Sequence, residues 1–78
     1  MLRRKYYLHI SYLFNEPSGI IYGDCFIEVA EINMVHLRHK VAEIAISYGQ
    51  RPTVQPVIVS MSELSKGLYK TLTKRIGE

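Results

Sequence analysis

Asn33–Gly49, NMVHLRHKVAEIAISYG, is the stretch whose periodicity decides the fold. Met34, Leu37, Val41, Ile44, Ala45 and Tyr48 recur at spacings of three and four, and at about 100° per residue they gather on one arc of a helix. Asn33 has the short acceptor side chain that serves the free amides of a first helical turn. Gly49 tolerates the positive φ that ends a helix, and Pro52 forbids continuation. The spacing predicts a helix with one apolar face that needs a sheet beneath it.

Working toward the N-terminus, the segment before the helix has the other period. From Lys5 to Phe14 the even positions read Tyr6, Leu8, Ile10, Tyr12, Phe14, an unbroken apolar row with period two, the signature of a strand. Asn15, Glu16, Pro17, Ser18 and Gly19 are turn formers, and Ile20–Val29 follows as a second strand with Ile21, Gly23, Cys25, Ile27 and Val29 on its smoother face. A four-residue loop, Asn15–Ser18, sets large residues of one strand against small ones of the other on the core face. It also opposes Lys5 to Glu28, Tyr7 to Phe26 and His9 to Asp24 on the reverse face. A five-residue loop would turn Asp24 into the apolar face, so the four-residue loop is the expected register.

Toward the C-terminus, Thr53–Met61 reads as a third strand rich in β-branched residues, with Pro56 placing its start at Val57 or its location at an edge. Ser60 with Glu63 has capping-box spacing for a last helix, and Ser62 is the alternative cap. Leu64, Leu68, Leu72 and Ile76 step by four beside a basic stripe of Lys66, Lys70 and Lys74. The expected architecture is α+β: a three-stranded sheet (hairpin, helix, strand) packed on one amphipathic helix, with a short C-terminal helix, ββαβα, as a single domain over residues 1–78.

Composition narrows the function classes. A chain of 78 residues with 47% hydrophobic residues has a real core, but a domain of this size buries only about 60% of its unfolded surface. No apolar run reaches the roughly 18 residues of a membrane span, so no membrane role is expected. The opening MLRRKYYLHISYLF looks superficially like a secretory signal, yet His9 and Ser11 interrupt it and no small-residue cleavage site follows. One cysteine, Cys25, makes no internal disulfide, which together with these features sets a cytoplasmic expectation. A net charge of +3 falls short of the dense basic blocks that by themselves mark nucleic-acid binders.

The segment Tyr7-Leu8-His9-Ile10-Ser11-Tyr12, its polar turn, the strand around Ile21-Tyr22-Gly23-Asp24-Cys25, the amphipathic helix and the Val/Ile-rich third strand together resemble a loose group of small uncharacterised phage and prophage proteins. The resemblance spans roughly residues 6 to 64, although of that group's two usual glycines only Gly23 sits at the expected spacing. It implies an accessory protein of a mobile element that works by binding. That no general base stands at workable spacing from a nucleophile or carboxylate sets the separate expectation of a non-enzymatic protein.

Chemistry-bearing clusters give little else. Gly19-Ile20-Ile21-Tyr22-Gly23 shares letters with the GIY-YIG nuclease signature but lacks the second half and the Arg and Glu that such chemistry needs, so a strand is the simpler reading. His36, His39 and Glu43 lie on one side of the helix as a solvated face, and no metal or cofactor is expected. Strand alternation puts Cys25 on the core side, away from His9 and Asp24, which leaves a buried thiol rather than a catalytic site. The outer sheet face carries surplus aromatic surface, with Tyr7, His9, Leu13, Tyr22, Asp24 and Phe26 as the candidate interaction surface for a homodimer or another protein, unless the C-terminal helix covers it. The alternative is nucleic-acid binding, with the ring side chains stacking on bases and Arg3, Arg4, Lys5, Lys66, Lys70 and Lys74 contacting phosphates.

Overall fold

A computed structural model describes residues 4–74, and its elements run β1 (Tyr6–Glu16), β2 (Gly19–Val29), α1 (Met34–Ser47), β3 (Val57–Leu64) and α2 (Lys66–Thr73). The three strands form one antiparallel sheet in the order β2-β1-β3, so the first strand, with the unbroken apolar row, is central. Both neighbours run antiparallel to β1 and therefore parallel to each other, and α1 carries the chain between the two edges. Leu8, Ile10, Tyr12 and Phe14 of β1 and Cys25 and Ile27 of β2 form one buried cluster with Leu37, Val41 and Ala45 of α1.

The helix ends as its caps dictate. Asn33 Oδ1 accepts from the amides of Val35 (3.0 Å) and His36 (3.2 Å). At the other end Gln50 N donates to Ala45 O and Gly49 N to Ile46 O, each at 3.0 Å, with Gly49 at φ +93°, the paired bonds of a Schellman motif. The sheet covers only the middle of the expected arc. Met34 and Tyr48 at its two ends are exposed, as are Val35 and Ile46 on the opposite side of the helix.

Three local expectations are corrected. The hairpin loop is two residues, Pro17 and Ser18, because Asn15 and Glu16 stay in β1 and Glu16 pairs with Gly19. A tertiary contact explains this. Glu16 is buried, and its carboxylate accepts from the Thr53 amide (2.6 Å) and from the Thr53 hydroxyl, which ties the end of the hairpin to the α1–β3 connection. The register is thus shifted by two residues, and an even shift leaves every side chain on its expected face. The intended direct partners become diagonal ones: Glu28 opposes Tyr7, Phe26 opposes His9, and Asp24 opposes Ser11.

The third strand starts at Val57, as Pro56 allows, but runs on to Leu64 instead of ending at Met61, so the last helix starts later than expected. The Ser60–Glu63 capping box does not form, because Ser60, Met61, Ser62, Glu63 and Leu64 pair with β1 instead, and a ladder consumes the amides that a cap would bind. Ser65 is the actual N-cap, its hydroxyl accepting from Leu68 N at 3.1 Å. A bulge lies where Ser11 pairs with Ser60 but Tyr12 pairs with Ile58, so Val59 is the extra residue and Val57 turns to the outer face beside Leu13.

Candidate functional site

The strand period places Tyr7, His9, Ser11 and Leu13 of β1 with Ile20, Tyr22, Asp24, Phe26 and Glu28 of β2 on the face opposite α1. All six residues expected to form an interaction surface therefore share one face. They do not form one uniform surface, because α2 covers one end and leaves the other open.

At the covered end the ring of Tyr69 lies 5.0 Å from that of Tyr7, tilted by 50°. Burial, and then the Glu28 carboxylate, raise the phenol pKa of both tyrosines. The Leu stripe does not do this covering: Leu68 and Leu72 remain about half exposed, and Ile76 lies outside the described residues. The steps of four from Leu64 to Ile76 pass over Tyr69. With Ser65 as the cap, Leu64 is the residue before it and Tyr69 the fourth helical residue, the spacing of a hydrophobic staple, and that signal was available once the cap was placed correctly.

In the middle of the face, His9 Nε2 and Asp24 Oδ2 are 2.9 Å apart, and Phe26 stacks on the His9 ring at 4.8 Å between centroids. The second contact follows from direct cross-strand pairing and the first from a diagonal one. At the open end, near the hairpin turn, Tyr22, Leu13 and Val57 sit opposite one another in a row across all three strands, with Ile20 beside Tyr22. Tyr22 is 69% exposed, and Ile20 and Val57 are each 51% exposed. Val57 could not have been assigned to this row without the bulge.

The basic residues are dispersed. Arg4 Nη2 is 2.6 Å from Glu63 Oε2, and its guanidinium lies over the Tyr6 ring at 4.7 Å. Lys5 Nζ is 3.9 Å from Glu28 Oε1. Lys66, Lys70 and Lys74 are exposed on and just after α2, and Arg3 lies outside the described residues.

Cys25 is buried in the core, and burial, followed by the Asp24 carboxylate, pushes its thiol pKa up to about 11. A cleft of about 380 Å³ between the end of β2 and the start of α1 is lined by Glu28, Val29, Ala30, Glu31, His36 and Lys40, a mixture of charges without a serine, threonine or cysteine. Among the described residues no three His, Cys, Asp or Glu side chains converge as a metal set. No helix among them is long and apolar enough to cross a membrane.

No protein-family model matches the chain, and neither curated proteins nor solved structures give a significant match.

Proposed function

We propose that this chain is a small, non-enzymatic interaction protein that self-associates as a homodimer and uses its outer sheet face to bind protein. The observation that carries the reading is the open row of Tyr22, Leu13 and Val57 with Ile20 beside it, apolar surface that crosses all three strands and that α2 leaves uncovered. Binding of this kind in the cytoplasm suits the accessory role that the phage and prophage resemblance implies.

Nucleic-acid binding is the weaker reading. It would need rings open for stacking, yet one side of Tyr7 is taken by Tyr69 and one side of Phe26 by His9, and Arg4 and Lys5 are paired with carboxylates. The test is the particle mass in solution, by sedimentation, for the unaltered chain and for Ile20→Lys, which puts a charge into the exposed apolar patch. A dimer that Ile20→Lys weakens is the expected result. A monomer at high micromolar concentration, or tight binding of single-stranded DNA that weakens steeply with salt, would overturn the proposal.

A further inference from the structure

We infer that two copies of the chain join edge to edge through β2, antiparallel about a two-fold axis at Gly23, so that their sheets continue into one. The inference rests on the homodimer reading and specifies its seam.

The two sheet edges are not equally protected. β3 is eight residues long, is entered through Pro56 and is bent by the bulge at Val59, devices that keep an edge from templating another strand. β2 has none of them. It is eleven residues long, contains no Pro, Lys or Arg, and pairs with β1 without a break from Glu16↔Gly19 to Tyr6↔Val29. Among the described residues its other side is a free edge, where every second residue turns its N–H and C=O away from β1. Asp24, one of its two charges, is held back toward β1 by His9.

The register follows from side-chain complementarity. For both α1 helices to stay on one side of a continuous sheet, the axis must pass through a residue that faces its own counterpart. An axis at Tyr22 would set Ile20 against Asp24, and one at Asp24 would oppose two carboxylates. At Phe26, Asp24 would meet Glu28, a second like-charge clash. At Cys25, Asp24 would lie against the Phe26 ring. An axis at Gly23 instead opposes Ile20 to Phe26 and the Tyr22 hydroxyl to Asp24 on the outer face, and Ile21 to Cys25 on the helix face, with Gly19–Ile27 of each copy overlapping.

Tyr12 fits the same axis. Its ring is 2% exposed and lies over Gly23, the hydroxyl 2.5 Å from the position a Cβ would take there. That hydroxyl lies over Gly23 of the edge strand, the residue through which the axis would pass. The seam would also bring the two Tyr22 rings into diagonal positions about the axis, merging the two outer faces into one platform.

The test mixes two separately prepared variants, Ile20→Cys and Phe26→Cys, under mild oxidation, with far-UV circular dichroism to show that each is folded. Opposed residues in an antiparallel pair have Cα atoms about 4.5–5.5 Å apart, within disulfide range. Identical residues of the two copies, six positions out of register, are about 20 Å apart, which is too far. A disulfide-linked heterodimer in the mixture, and none with either variant alone, is the expected result. In the unaltered chain, hydrogen exchange at β2 amides should slow as concentration rises while β3 amides do not change. A dimer by sedimentation that neither cross-links in the mixture nor protects β2 overturns the seam while sparing self-association. A monomer at every concentration overturns both.

Discussion

Adding one methyl group at Gly23 tests the packing of the sheet directly. A Cβ there would lie 2.5 Å from the Tyr12 hydroxyl oxygen and 2.6 Å from the ring carbon that bears it, well inside van der Waals contact. Tyr12 cannot move aside freely, since it is 2% exposed and meets Phe14 edge-on at 5.6 Å between centroids. Overpacking of this kind costs about 1–3 kcal/mol, against which alanine regains about 0.5–1 kcal/mol of the entropy that glycine loses in a strand. Gly23→Ala should therefore destabilise the fold by about 1–2 kcal/mol, and each kcal/mol lowers Tm by about 4–8 °C in a domain this small. The assay is urea unfolding of four proteins at one low concentration, so that self-association does not contribute: the unaltered chain, Gly23→Ala, Tyr12→Val and the double variant. With the ring gone, alanine should cost nothing or stabilise slightly, a coupling of about 1–2 kcal/mol between the sites. Additive effects, or a Gly23→Ala protein as stable as its parent, would refute the close approach of Tyr12 to Gly23.

Three further outcomes follow from single contacts. Asn33→Ala leaves the first-turn amides of Val35 and His36 without their acceptor and should cost about 0.5–2 kcal/mol by thermal unfolding, with Asn33→Asp restoring most of the loss. The two hydrogen bonds from Thr53 lower the pKa of Glu16 in the folded chain, so the stability it contributes is present above the ordinary carboxyl pKa and is lost as pH falls through the lowered folded value. Glu16→Gln should flatten that acid limb of the stability profile, and an unchanged limb would show that the carboxylate does not tie down the connection. Cys25, buried and with its pKa raised to about 11, should react with a thiol reagent near neutral pH only as fast as the protein opens, so labelling should accelerate with denaturant. Rapid labelling of the native chain would place the thiol at the surface.

The sequence by itself determined the elements and the faces. Period two in β1 and period 3.6 in α1 arise from local backbone geometry, so the buried row Leu8, Ile10, Tyr12, Phe14 and the buried helix positions Leu37, Val41 and Ala45 are visible in the order of the residues. The caps at Asn33 and Gly49 are equally local. The tertiary structure decided how far each strand runs and what covers the outer face. Glu16 stays in β1 because Thr53, 37 residues away, supplies its donors. Ser60–Leu64 extend β3 because β1 offers a ladder that outcompetes a helix cap, and the bulge at Val59 that turns Val57 outward exists only in that pairing. Local spacing cannot register such contacts, since they depend on groups that become neighbours only after the chain has folded.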